Sequence, residues 1–333
     1  MSNIKYIQIL RDAWKIVWKN RFLWWFGFFI LLFIITSPGY SPQINSEPTK
    51  EWRDFSEQIH LQEFIENHSK LLIFLGITLI ITFLLSTLLL FLSKGAIIKS
   101  TQRILKKEPA SFLSAWKDGR KYFKNNAYII LFSSLALFFC MFVLIAPVMT
   151  LFSVKAYSSA IPLAILAFLI CASLIMLYKF IQTYACFYAT LADLKPWLAI
   201  ENAYALFKKN ILSSLIMSLI FIPISLLYLL VAMALLLLLM FISVIIGLII
   251  LFVFKESALF IAIIIFVMSI IAIILLFSVF IVFSQVAWIL FFYRIATPKI
   301  KKVVVETIKK LASEEIIENS NATDVIKTID TKK

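Results

Sequence analysis

The chain has 333 residues, of which 62% are apolar and only 15% charged, with a formal net charge of +14 and a mean hydropathy of +0.97. Globular proteins average about 45 to 50% apolar and about 25% charged residues, so a water-soluble globule is excluded and a bundle of membrane spans with small polar appendages is expected. Nucleic acid is excluded as the partner of the positive charge: no soluble domain remains to present it, and the basic residues flank apolar runs, where anionic lipid and the positive-inside rule account for them.

The N-terminus pairs a basic stretch with the apolar run 22–35, an arrangement that imitates a secretory signal. Thr36-Ser37-Pro38-Gly39 follows it in place of an A-x-A-like cleavage site, so an uncleaved first span is predicted at about 20–36. Residues 38–70 form a loop with six Asp/Glu against three Lys/Arg. His60, Glu63 and His68 make a loose metal-like grouping there, but neither HExxH nor cysteine ligands accompany them. An amphipathic helix using Trp52, Phe55, Ile59 and Phe64 is expected instead, and no metal site. Further spans are predicted at Leu71–Leu92, Ala127–Phe152 and Ala160–Tyr178, each long enough for the roughly 20 residues a crossing needs.

Two long runs follow. Ile211 to Phe254 contains no charged residue in 44 positions, and Ala258 to Tyr293 is again uncharged. The first would be about 66 Å long as a helix, twice the hydrocarbon core. Its middle, Leu229 to Leu236, has no Gly, Pro, Asn or Asp to make a turn, so it reads as one span, with a split into eight spans as the alternative. The surplus length of this last pair is expected to project outward and pack against residues 52–65. Beyond it, 299–318 reads as an amphipathic helix with Val304, Ile308, Leu311 and Ala312 on one face, and 319–333 as a disordered polar tail.

With both termini inside, 27 of the 32 Lys and Arg fall on inner segments and five on outer ones, which orients the chain with cytoplasmic termini. An internal repeat accompanies this pattern. Ala13-Trp14-Lys15-Ile16-Val17-Trp18-Lys19-Asn20 and Ala203-Tyr204-Ala205-Leu206-Phe207-Lys208-Lys209-Asn210 share an Ala, spaced aromatics and a closing Lys-Asn. Ala115-Trp116 to Lys124-Asn125 repeats the pattern with about three residues inserted. Each copy opens a pair of spans, so a membrane domain of residues 1–298 divides into hairpins of about 13–109, 115–196 and 203–298. Lys15, Lys19, Lys121, Lys124, Lys208 and Lys209 are the candidate anionic-headgroup contacts. The candidate interfacial aromatics are Trp14, Trp18, Trp24, Trp25, Trp116, Tyr204 and Phe207. Simple anchoring and orientation of the spans is the plainer use of the same residues.

Catalytic chemistry has no constellation to work with. Intramembrane hydrolysis needs an Asp pair, a Ser-His dyad or a zinc motif, and phosphate binding needs a glycine-rich loop. None is present; Asp193 and Lys179 lie at the inner end of the fourth span and read as interfacial. Cys140, Cys171 and Cys186 have no paired spacing and read as small core residues, with no disulfide framework and no cofactor implied. Transport has only weak candidates in Pro147, Pro223, Ser133, Ser134, Ser214, Ser218, Ser225 and Gln285. Hydroxyls and amides of this kind more often bond neighbouring helices.

Residues 188–210, together with Gly95-Ala96-Ile97-Ile98-Lys99 and Val286 to Arg294, resemble a largely uncharacterised prokaryotic family. The resemblance covers most of residues 5–298. It is to the six-span membrane domain fused to some bacterial glycerophosphodiester phosphodiesterases and to similar stand-alone proteins. The catalytic barrel of the fused enzymes has no counterpart here, so their activity is not implied. The expectation is an all-α polytopic membrane bundle of six transmembrane helices in the cytoplasmic membrane. Its role is expected to be non-enzymatic, membrane-organising or lipid-associated, with anionic phospholipid as partner. A carrier of a small or amphiphilic solute is the alternative, and protein partners and oligomeric state stay open.

Overall fold

The computed structural model describes residues 5–37, 68–253 and 258–296. These residues form eight α-helices with no strand among them: α1 (Tyr6–Lys19), α2 (Leu23–Thr36), α3 (Ser69–Leu105), α4 (Phe112–Ser153), α5 (Tyr157–Leu191), α6 (Pro196–Lys209), α7 (Ile211–Val253) and α8 (Ala258–Ile295). The chain is a multi-pass integral membrane protein, all-α throughout the described residues. The greater part of the loop 38–70, with His60 and Glu63, lies outside them, as do the 299–318 helix and the polar tail.

Five helices are long and apolar enough to cross a membrane, and six if the bent pair α1–α2 is one span. The helices α3, α4, α5, α7 and α8 have 35 to 43 residues. At 1.5 Å per residue they measure about 52 to 65 Å, nearly twice the hydrocarbon thickness of about 30 Å. Helix α2 has only 14 residues, and α1 meets it at 102°, so the span expected at 20–36 is a short helix with a sharp approach. Helix α7 runs unbroken through Leu229–Leu236, the place where an eight-span arrangement requires a turn.

Burial is concentrated at one end. Ile9, Ala13 and Val17 of α1 recur at the spacing of a single helical face and are buried. With them go α2, residues 86–105 of α3, 115–130 of α4, 180–190 of α5 and 278–296 of α8. This is also where Lys94, Lys99, Arg103, Arg120, Lys124, Lys208 and Lys209 are found, and it is the basic end of the bundle. In the opposite halves the apolar side chains point outward, and the most apolar windows of the five long helices are only 6% to 22% buried. One half of the bundle thus presents its apolar side chains outward while protein packing holds the other. Part of the surplus length of α7 and α8 is spent in that packed end, where Met217, Phe221 and residues 278–296 are core. Residues 52–65, expected to cover the remainder, lie outside the described residues.

The helices fit closely where glycine permits it. A Cβ on Gly27 of α2 would stand 2.3 Å from the Ser278 carbonyl oxygen of α8, and one on Gly119 of α4 would stand 2.6 Å from the Leu92 oxygen of α3. Small residues at such crossings are the usual means of packing helices in a membrane, where lipid is as apolar as leucine. Helix α3 also packs along α2 and α4, α4 along α5, and α7 along α8, while α8 closes the bundle against α1 and α2.

Candidate functional site

The three lysine-bearing segments share a buried alanine. Ala13, Ala115 and Ala203 are each 0% exposed, and they seat α1, the first turns of α4, and α6 on the bundle. Helices α1 and α6 also end alike. The Asn20 side chain donates to the Ile16 carbonyl at 2.8 Å and that of Asn210 to the Leu206 carbonyl at 3.0 Å, each reinforced by the residue's own backbone N–H. Each carbonyl thus accepts a second bond at the helix end, from the side-chain amide as well as the backbone. The α4 segment differs: a capping box between Ser111 and Ser114 starts it, and the helix then runs without a break to Ser153. Three copies of one sequence pattern thus become two helices that stop at an asparagine and one that continues into its span.

All six candidate lysines are exposed. Helix α6, carrying Lys208 and Lys209, packs on α5 and on α4, which carries Lys121 and Lys124. Helix α1, carrying Lys15 and Lys19, is seated on α8 instead. Lys121 is partly compensated, with Nζ 3.8 Å from Asp193 Oδ2 and 5.0 Å from the Tyr122 ring centre. Tyr122, with Asp193 adding to it, holds the Lys121 pKa above its ordinary value, so this ammonium stays charged.

The aromatic residues divide. Trp14, Trp18, Trp25 and Tyr204 stand open at the surface, Trp24 and Trp116 are half-buried, and Phe207 is buried. Phe207 is stacked on Phe180 at 5.0 Å, so it is a core residue and not an interfacial one. Counted from the shared alanine its position is that of Val17, which is likewise buried, so the buried phase of the repeat decides where this ring points. Trp24 donates its indole N–H to the Val17 carbonyl at 3.1 Å, pinning the α1–α2 bend. From there aromatic contacts run without interruption: Trp24 to Trp18, Trp14, Phe283, Phe221, Trp288, Phe180 and Phe207. This one chain of rings ties α1, α2, α5, α6, α7 and α8 together at the basic end.

Polar pairs stitch the same region. Arg103 of α3 meets Asp118 of α4 side-on, Nη2 to Oδ1 at 3.0 Å and Nε to Oδ2 at 2.9 Å. Tyr184 and Ser214 share a hydrogen bond of 2.8 Å between α5 and α7, and Thr190 donates to Asn126 at 3.4 Å. Ser134 and Ser133, weak transport candidates in the sequence, bond Tyr178 at 2.9 Å and accept from Gln182 at 3.3 Å respectively. Gln182 also donates to the Tyr178 hydroxyl at 2.6 Å. Pro147 and Pro223 lie inside continuous helices and open no gap. Tyr178 and Gln182 are functional candidates that the sequence alone did not single out, although a tyrosine and a glutamine four apart at the end of an apolar run was the available signal.

Beside Ser134 and Tyr178 an apolar groove of about 800 Å³ runs along α4. Among the described residues no group of three His, Cys, Asp or Glu is placed to hold a metal ion. No protein-family model, curated protein or solved structure matches the chain.

Proposed function

We propose that this protein is a non-enzymatic, lipid-associated organiser of the cytoplasmic membrane, related to the membrane domain of the glycerophosphodiesterase-fused family. The observation that carries this reading is the separation of the bundle into a half whose apolar side chains face outward and a packed half fringed with cations. A transporter gathers ionisable groups at mid-span, whereas here the cations sit at the packed end and the mid-helix polar contacts, Thr36 to Ser86 and Tyr228 to the Leu276 carbonyl, are neutral pairs between helices. Both termini then face the cytoplasm, and anionic headgroups meet the exposed lysines of α1, α4 and α6. Open Trp14, Trp18, Trp25 and Tyr204 sit at the same level, the usual place of amphipathic rings.

The test is lipid retention. Native mass spectrometry of the purified protein is expected to show bound anionic phospholipid. The combined K15Q, K19Q, K121Q, K124Q, K208Q and K209Q variant is expected to hold less of it, with weaker salt dependence, because each lysine near a charged leaflet contributes about 1 kcal/mol. Equal retention would reduce these lysines to determinants of orientation, and solute-dependent flux in proteoliposomes would favour a carrier instead.

A further inference from the structure

The groove beside α4 has a polar end and an apolar length. Leu137, Met141, Ile145 and Met149 line it at a strict spacing of four, one stripe of one helix, and Ser134 and Tyr178 stand at its end toward the basic region. From Leu137 to Met149 the stripe rises about 18 Å, close to the roughly 15 Å of hydrocarbon in one leaflet. Its volume of about 800 Å³ lies in the range of ligand sites, and Phe138, Phe142 and Ile145 are exposed on the membrane-facing surface.

A positive charge stands at the polar end. Lys179 is adjacent to Tyr178 in sequence, and its ammonium lies 5.8 Å from that ring's centre. Its side chain is exposed, and among the described residues it has no carboxylate within salt-bridge distance. An exposed cation without a carboxylate at the edge of an apolar layer favours an anion there. Tyr178 and Ser134 add hydroxyls that are joined to each other and to Gln182 and so are held in place.

We propose that the groove along α4 binds one acyl chain of an anionic glycerophospholipid of the leaflet at the basic end, with its phosphate held at the Ser134–Tyr178 end by Lys179. The site is separate from the six exposed lysines, although it rests on the same lipid-associated reading. Those lysines attract headgroups at large, whereas the groove selects a tail and a charge together. A zwitterionic lipid fits the tail but brings its own cation to Lys179, so the groove prefers the anionic form.

The experiment is photolabelling in phosphatidylcholine liposomes containing trace phosphatidylglycerol with a diazirine on its acyl chain, or the matching phosphatidylcholine probe, followed by mapping of the labelled peptides. The phosphatidylglycerol probe is expected to label residues 137–149 several-fold above residues 226–237 of α7, an equally open apolar face, and the phosphatidylcholine probe to label both alike. K179Q is expected to lower the phosphatidylglycerol excess by about fivefold, the factor that about 1 kcal/mol per cation carries. A146W fills the groove without touching Lys179 and is expected to abolish the excess. Even labelling of the two faces by phosphatidylglycerol, or an excess that survives both K179Q and A146W, overturns the groove. Total anionic lipid co-purified with the same samples separates the two proposals: retained lipid with even labelling discards the groove alone, while unselective retention discards the broader reading.

Discussion

Glycine does opposite work at different positions, and the difference is measurable. Gly119 faces the Leu92 backbone, and an added methyl would overlap a carbonyl that cannot move aside without shifting α3. G119A is therefore expected to cost about 1 to 3 kcal/mol, the usual range for an overpacked contact. Gly76 lies in the apolar half of α3, and a methyl added there would meet nothing within 4 Å, so G76A is expected to raise stability by about 0.5 to 1 kcal/mol through the helix propensity of alanine. Thermal unfolding in one detergent checks both, and equal shifts would show that the α3–α4 crossing is looser than its geometry. Arg103 and Asp118 offer a second residue-scale test. Their side chains are 30% and 12% exposed, so solvent screens the pair in part. D118A leaves a half-buried guanidinium without its partner and is expected to destabilise more than the R103A/D118A double variant, as breaking one side of such a pair usually does.

At the scale of the element, the asparagine that closes α1 and α6 makes their boundaries sharp. Asn20 and Asn210 each return a backbone and a side-chain bond to the carbonyl four residues before them; alanine keeps the first and loses the second, so N20A and N210A are expected to cost about 0.5 to 1 kcal/mol each. N125A, inside the continuous α4, is expected to cost less, and chemical unfolding of the three variants checks the order. The Lys-Asn ending was legible in the sequence, and so was the recurring alanine, because both are short local signals. That the α4 copy runs on was not legible, since nothing near Asn125 distinguishes a helix that bends from one that continues. Hydropathy placed the apolar runs but underestimated α3 and α5, which extend to Leu105 and Leu191, well past the ends expected at Leu92 and Tyr178. Those extensions open with Lys94 and Lys179, charges that end an apolar run, and mix apolar residues with Ser, Gly, Ala, Thr and Tyr that pack by size and hydrogen bonding. The polar end of the groove was hidden by separation in the chain: Ser134 and Tyr178 are 44 positions apart, and only the α4–α5 hairpin joins them.

For the whole molecule, the distribution of charge and the distribution of packing point to the same end. Cations that must stay out of hydrocarbon surround the only well-packed region among the described residues, so the bundle is a rigid base from which long apolar helices extend into lipid. The proposed orientation, with that base in the cytoplasm, follows from where 27 of the 32 Lys and Arg reside. Cysteines replacing Ser111, at the start of α4, and Ser320 are expected to react with a membrane-impermeant maleimide only in opened vesicles or from the cytoplasmic side. Cysteines replacing Gln58 and Ser257 are expected to react from outside, in a background where Cys140, Cys171 and Cys186 are replaced by alanine. Continuous α7 and α8 put Val253 and Ala258 at the opposite end of the helix pair from Ile211 and Ile295. Cytoplasmic reactivity at position 257 would require each of those helices to break into two spans, and reactivity of position 111 from outside would invert the bundle and remove the basis for matching its cations to the inner leaflet.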